Sequence, residues 1–408
     1  MKTLLLLGGS RYLLPVIREA KALGCRVVTC DYLPDNIAHR YSDAYANVSI
    51  VDRAAVLALA KELEIDGVMS FACDPGVVTA AYVAEELGLP NVGPLESVEL
   101  LQDKGRFRRF LQENGFPVPR ARSCASWEEI PLEELRYPLM VKPVDSAGSK
   151  GVSRVEREEE LPAAVRHALD FSLSGRFILE DFIEPVGFPS DTECFTVDGE
   201  LRFVSFNNQY FDRKADNPYT PAGFTWPSTM PESAQRDLRE QLQRLLRLLH
   251  MGTAVYNVES RLGKDGRAYL MEVSPRGGGN RLCEMLRYTT GVNLIHAAVQ
   301  AALGLKVDEP EMPVYTGNWS YVALHSYESG VFRGLELSAE ARPFLVEEDL
   351  WVRPGEAVEA FSGANKTIGT LVLNWPDRAS RDAHMADLDT WLHIRVEAPE
   401  KGEEQWSM

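Results

Sequence analysis

The chain has 408 residues but only six cysteines, and no CxxC pair. Cys25, Cys30, Cys73, Cys124, Cys194 and Cys283 are scattered, mostly beside apolar residues. That excludes a disulfide scaffold and points to reduced, buried thiols in a cytoplasmic protein. No apolar run approaches the roughly 18 residues needed to span a bilayer, and Leu4–Leu7 is too short for a signal-peptide core. Basic residues are outnumbered, 43 Lys and Arg against 60 Asp and Glu, for a formal net charge of −17. A general nucleic-acid or anionic-membrane binder would need the opposite balance. The motifs GxxxxGK[ST], HExxH and GxSxG are absent, and the seven histidines show no close metal-ligand spacing. The first turn, Gly8-Gly9-Ser10-Arg11-Tyr12-Leu13, also lacks GxGxxG, so Asp31 at the end of the next strand is weak support for a dinucleotide site. Lysines, arginines and acids are left to carry any chemistry.

What is present is globular: 45% hydrophobic and 25% charged residues, enough chain for two or three domains. Short apolar runs at Leu4–Leu7, Arg26–Cys30 and Gly67–Phe71 alternate with helical patterns at Pro15–Leu23 and Val51–Leu63. This spacing predicts an α/β unit with a parallel, doubly wound sheet over 1–93. Ser97 is placed to cap one helix running toward Leu111, with Gly115 as its stop. Strands are expected at Pro138–Pro143, at Phe177–Leu179, and at 191–206 around the Asp198-Gly199 turn. Leu238, Leu242, Leu245, Leu246 and Leu249 form one face of a helix over Glu232–Leu249. Strands at Gly252–Glu259 and Ala268–Val273 flank the Lys264-Asp265-Gly266 turn. Phe211–Trp226 reads as a long polar-aromatic loop, a substrate cover or a packed surface loop. From Pro310 the chain is β-rich, and Pro399–Met408 reads as a frayed acidic tail. The expected fold class is α/β plus α+β: domains over 1–93 and 94–309, with a lid about 119–183, and a β-rich region over 310–408.

Several local features stand in an order that suits nucleotide chemistry. Lys104 opens a helix, and Lys142 lies in an apolar strand; both could face phosphates as point charges on flexible stems. Between Ser146 and Gly151, through Gly148 and Ser149, small residues let backbone N–H groups approach phosphate oxygens. The strand end from Leu179 through Glu180 and Phe182 to Ile183 can bond an adenine edge, and Glu184 or Asp191 can accept from ribose hydroxyls. Glu259 and Glu272 end two strands joined by a hairpin and can hold Mg²⁺, which prefers oxygen ligands. Arg276 can neutralise a transferring phosphoryl group. Taken singly, each residue is more often a solvated charge or a surface loop. The weakest of those bland readings is the acid pair, because carboxylates on facing strands repel unless a cation joins them.

Asp103-Lys104, Gly115-Phe116-Pro117-Val118-Pro119, Val141-Lys142-Pro143, Gly148-Ser149-Lys150-Gly151, Glu180–Glu184, Asn257-Val258-Glu259 and Glu272-Val273-Ser274-Pro275-Arg276 follow one another in an order that resembles the ATP-grasp superfamily. The likeness covers about residues 1–305 and lies toward the amino-acid ligase and carbamoyl-phosphate-synthase-like branches. It implies ATP and Mg²⁺, with Mn²⁺ as the alternative metal. It further implies that Lys104 and Lys142 hold phosphates and that Gly148–Gly151 closes over them. Glu180, Phe182 and Ile183 would meet adenine, and Glu184 or Asp191 the ribose. Glu259 and Glu272 would ligate metal, and Arg276, with Lys142, would serve the transfer. Many members carry Asn as a third ligand where this chain has Ser274, a shorter and weaker ligand; Asn280 is the candidate substitute.

The activity implied is ATP-dependent carboxylate–amine ligation through an acyl phosphate, with small-molecule substrates and no nucleic-acid or membrane partner. Bicarbonate-dependent carboxylation or carbamoylation is the enzymatic alternative. A non-catalytic ATP-binding subunit is the alternative from another class. Asp74, Arg281, Arg213 and His325 are the substrate candidates, and a homodimer is the default expectation.

Overall fold

A computed structural model describes residues 1–398, so the expected frayed tail lies outside the described residues. Leu4–Leu7 and their neighbours are buried on both faces, as strands of a helix-covered parallel sheet must be. The first unit contains β1 (Thr3–Leu7), α1 (Leu14–Ala22), β2 (Arg26–Cys30), β3 (Ala44–Ala46), α2 (Arg53–Glu62), β4 (Gly67–Ser70) and α3 (Val77–Leu87). Its sheet has the order β3-β2-β1-β4, with every pairing parallel. The very short β3 carried no clear sequence pattern.

The next helix is not one but two, α4 (Leu95–Gln102) and α5 (Lys104–Glu113). Asp103 breaks the run: its backbone is extended (φ −108°, ψ 109°) and its carboxylate accepts the Arg106 N–H, capping α5. Ser97 is therefore no cap. It is buried inside α4, and its hydroxyl donates to the Leu249 carbonyl. The break places Lys104 in the first turn of α5.

A four-stranded antiparallel sheet follows, from β5 (Ala121–Cys124), β6 (Leu139–Pro143), β7 (Ser153–Val155) and β8 (Phe177–Asp181), in the order β5-β8-β6-β7. Helix α6 (Leu161–Asp170) packs on it through Leu161, Ala164, Val165 and Ala168. A second antiparallel sheet, β10-β9-β13-β14, joins β9 (Ser190–Val197), β10 (Glu200–Val204), β13 (Ala254–Leu262) and β14 (Ala268–Ser274). Between them come β11 (Asn208–Phe211), β12 (Pro221–Trp226) and α7 (Glu232–Leu248), whose Leu238, Leu242, Leu245 and Leu246 are fully buried. Helices α8 (Leu282–Thr290) and α9 (Leu294–Ala302) then pack back on the first unit, α9 against α1.

The rest of the described chain holds β15 (Asn318–Leu324), β16 (Gly330–Leu337), β17 (Leu345–Leu350), β18 (Ala357–Val358), β19 (Gly369–Trp375), α10 (Arg378–Ala386) and β20 (Leu392–Glu397). Its main sheet, β11-β12-β15-β19-β17, borrows two strands from 208–226. The expected long loop over Phe211–Trp226 is thus a loop only over 212–220; Phe211 ends β11 and Pro221–Trp226 form β12. Residues Gly223 to Trp226 pair onto β15, and Ala222 to Trp226 are buried without a break, so no alternating pattern marks the strand in sequence.

Candidate functional site

The site is built on one face of the β9-β13-β14 sheet. Directly opposed residues share a face, and so do residues two apart on a strand. The register sets Asp191, Glu259 and Glu272 in one row, and Glu193, Asn257 and Ser274 in the next. A β-bulge follows Glu259 at the Glu259/Ser260 step, where an irregularity re-aims side chains.

The acid row carries strain of charge. Burial and then the Glu272 carboxylate push the Glu259 carboxyl above its usual range. Burial and then Glu259 push Asp191 higher still, although the Asn257 amide donates to it at 2.6 Å. Glu193, fully buried, is pushed up to about 8 by burial, and accepts the Gly278 N–H at 2.8 Å. Lys104 is the cation nearest this row: its Nζ lies 3.3 Å from Glu272 and donates to the Ser146 carbonyl at 3.0 Å. Burial disfavours the Lys104 charge, but Glu272, Asp74 and Glu259 outweigh it and hold the ammonium above its ordinary value.

A second charged group is carried by the β5-β8-β6-β7 sheet and α5. Glu180 is buried and ion-paired to Lys142 at 2.6 Å and to Arg108 at 2.7 Å. Burial opposes its charge, yet Arg108 and then Lys142 hold it down to about 2. Burial pulls Lys142 below its usual value, and Arg108 adds to that against the attraction of Glu180. The Arg108 contact lacks hydrogen-bond alignment, and its guanidinium nitrogens have no other protein partner. Arg108 was not anticipated: in KGRFRRFLQE its only signal is that it stands four residues, one helical turn, beyond Lys104. The Glu180 carboxylate is occupied by cations, so its evident work is to hold Lys142. The N–H groups of Asp181 and Phe182 are taken by the Arg120 and Pro138 carbonyls, and the Phe182 ring lies under Arg154 at 4.2 Å. Ile183 packs beside Gly263.

The glycine loop is tightly wound. Gly148, Ser149 and Gly151 all have φ between +59° and +71°. A Cβ on Gly148 would meet no neighbour, so glycine serves that conformation rather than a lack of room. Ser149 is pinned to the 212–220 loop: its hydroxyl donates to the Tyr219 carbonyl at 2.8 Å, and Asn217 donates to the Ser149 carbonyl at 3.1 Å. At the other end of that loop Asp212 meets His325 at 3.1 Å and Tyr327 at 2.5 Å, and Lys214 pairs with Asp389. The glycine loop and the C-terminal sheet are thus tied through one nine-residue segment.

Not all anticipated residues converge. Glu184 is exposed and pairs with Lys264 across the Pro185–Gly263 bridge. Arg213 is exposed on the 212–220 loop. His325 faces Asp212 and stacks on Phe361. Arg281 and Asn280 both have left-handed φ, and the Arg281 guanidinium is committed to Glu284 and Glu347. Asp74 and Arg276 do meet, as a bidentate pair at 2.8 and 2.7 Å. Ser274 turns its hydroxyl to Asp74 at 2.9 Å and accepts from Gln102 at 2.8 Å. The Ser274 hydroxyl, expected as a third metal ligand, is thus engaged by protein partners on both sides. Among the described residues, no set of three His, Cys, Asp or Glu is arranged to hold a metal ion. Two opposed, half-buried acids, with Glu259 pushed above its usual range by burial and by Glu272, nevertheless fit a divalent cation, which removes their repulsion.

All six cysteines are free, and no described helix is long and apolar enough to cross a membrane.

Comparison with known proteins agrees with this architecture. Residues 101–280 match the family described as the ATP-grasp domain, and residues 17–91 the ATP-grasp N-terminal domain. An uncharacterised protein, y4rH, of Sinorhizobium fredii is 26% identical over 333 residues, 79% of this chain and 67% of that protein. The carbamoyl phosphate synthase large chain of a Thermoanaerobacter species is 24% identical over 221 residues, 52% of this chain. The match spans only 20% of that large chain. In fold, the L-amino acid ligase from Bacillus licheniformis superposes with a TM-score of 0.81 at 23% identity, over 97% of this chain and 99% of that one.

Proposed function

We propose that this chain, which belongs to the ATP-grasp superfamily, is an ATP-dependent carboxylate–amine ligase. The observation that carries the reading is the meeting of Lys104, Glu272 and Glu259, with Arg276 four residues beyond Glu272 and Lys142 fixed by Glu180. In the first step a carboxylate oxygen of the substrate attacks the γ-phosphorus of ATP. The new O–P bond forms as the bond to the β,γ-bridging oxygen breaks, and ADP leaves with that electron pair. In the second step an amine attacks the acyl carbon, the carbon–oxygen bond to phosphate breaks, and the nitrogen loses a proton. Amide, ADP and phosphate result.

Such a reaction needs positioning and charge neutralisation rather than a side-chain nucleophile. Lys104 and Lys142 supply fixed positive charge, and Arg276 stands to receive charge that develops on the transferring group. Glu259 and Glu272 would hold Mg²⁺ or Mn²⁺, whose charge screens the phosphate oxygens. The glycine loop, pinned by Asn217 and Tyr219, supports the exclusion of water from an acyl phosphate that hydrolyses readily. Buried free thiols suit a cytoplasmic enzyme, and a homodimer is the working expectation.

Bicarbonate as the carboxylate is the second reading, favoured by the match to carbamoyl phosphate synthase large chains. One assay separates the two: phosphate release from Mg-ATP with amino-acid pools, with other carboxylates plus amines, or with bicarbonate. Release that requires an amino-acid or a carboxylate-plus-amine pool supports the ligase. Release that requires bicarbonate alone moves the assignment to carboxylation. ATP binding without release from any pool favours a non-catalytic subunit.

A further inference from the structure

Arg276 is buried, 8% exposed, and most of its donors are already spent. A guanidinium has five N–H groups. Nε donates to Asp74 Oδ1 at 2.8 Å, Nη2 to Asp74 Oδ2 at 2.7 Å, and Nη1 to the Gly277 carbonyl at 3.2 Å. Two N–H groups remain, one on each terminal nitrogen, a fork for one further oxygen pair.

Asp74 does not come from the sheet whose strand β14 leads into Arg276. It lies in the loop after β4 of the N-terminal unit, and that loop is locked onto the residues following Arg276. Ala72, at φ +52°, donates its N–H to the Gly277 carbonyl at 2.9 Å. The Phe71 ring occupies the space where a Cβ on Gly277 would stand, 2.2 Å away. Asp74 then receives a third donor, the Ser274 hydroxyl, which Gln102 orients from α4. The N-terminal unit and the end of β14 thus meet at one carboxylate, and α4 reaches it through Ser274.

We propose that Asp74 is a positioning residue for the transfer step. It grips the side of Arg276, leaves the two free N–H groups of the guanidinium to the transferring phosphoryl group, and takes Ser274 as a strut of that brace. This rests on the ligase reading. It explains why serine stands where many family members carry asparagine: a short hydroxyl reaches Asp74, whereas the metal acids, Glu259 and Glu272, stand in the adjacent row. A substrate-binding role for Asp74 is set aside, since both of its oxygens are taken by protein donors.

The test has two arms on the full chain. Hydrogen exchange of the 274–281 segment is compared between wild type, Asp74→Asn and Ser274→Ala, with no substrate present. The brace predicts faster exchange there in both variants and unchanged exchange in β1 and β4; equal exchange at 274–281 overturns it. In the second arm, turnover is measured by phosphate release, and nucleotide binding by calorimetry. Asp74→Asn is expected to lower kcat by about 10²-fold with the ATP Kd within about 3-fold. A double-mutant cycle with Arg276→Lys separates positioning from mere support. If Asp74 acts through Arg276, adding Asp74→Asn to Arg276→Lys costs little more. Fully multiplicative losses overturn the proposal. Ser274→Asn is expected to lower turnover without tightening Mg²⁺; tighter Mg²⁺ with retained turnover overturns the strut role. If wild type shows no turnover with any pool, the ligase reading fails, while the exchange arm still decides the brace.

Discussion

Replacing Glu259 with glutamine should stabilise the metal-free protein while removing its response to Mg²⁺. Glu259 and Glu272 are directly opposed across β13 and β14. Directly opposed residues have Cβ atoms ~5 Å apart, and two carboxylates at that separation repel by about 3 kcal/mol at an effective dielectric of ~20. Lys104, 3.3 Å from Glu272, cancels part of it. Partial protonation of Glu259, whose proton affinity is raised by burial and by Glu272, relieves more. A net gain of about 1 kcal/mol remains for the glutamine variant, or ~2–4 °C in a unit of 150–250 residues.

The gain should also depend on pH. A carboxyl with a raised folded-state pKa binds more protons folded than unfolded between its ordinary and its raised value. Wild-type stability therefore falls as pH rises through that window, and the variant loses this slope. The assay is thermal unfolding in EDTA at low ionic strength, at pH 5 and pH 8, then with Mg-ATP. Wild type should gain stability from Mg-ATP and Glu259→Gln much less. A variant that is less stable without metal and equally responsive to Mg-ATP would refute the electrostatic account of this row.

Two further outcomes follow from packing and charge. Glu180→Gln leaves Arg108 and Lys142 buried without a compensating anion and should destabilise by about 3–5 kcal/mol, measured by urea unfolding at pH 7. Because Glu180 is depressed to about 2, its stabilisation is full above ~pH 4.5 and is lost as pH falls toward 2; a flat wild-type profile there would contradict the pairing. Gly277→Ala would set a Cβ 2.2 Å from the Phe71 ring and should cost about 1–3 kcal/mol. Phe71→Leu in the same chain should recover part of that loss, and no recovery would mean that backbone conformation, not the ring, excludes the side chain.

The sequence carried the charged residues of the site better than it carried their partners. Lys104, Lys142, Glu259, Glu272 and Arg276 stand in short patterns at strand and helix ends, where spacing and residue type speak together. The row of Asp191 beside Glu259 depends on how β9 pairs with β13, some sixty residues apart, and no local pattern encodes that register. Arg108 looks like a solvated helix charge, because only the folded β5-β8-β6-β7 sheet reveals that Glu180 lies against it. Asp74 reads as a loop acid until the N-terminal unit docks on Gly277. The helix break at Asp103 was written in its capping side chain, but the apolar residues on both sides of it mimic one continuous face.

The most direct test of the central claim is oxygen transfer from the substrate to phosphate. With the carboxylate substrate found by the pool assay and labelled with ¹⁸O, the phosphate released from Mg-ATP is analysed by mass spectrometry. Activation through an acyl phosphate predicts one ¹⁸O atom in each phosphate formed and an amide that has lost one labelled oxygen. Turnover that yields amide with unlabelled phosphate would contradict it, since the γ-phosphoryl group would then never have been bonded to the carboxylate.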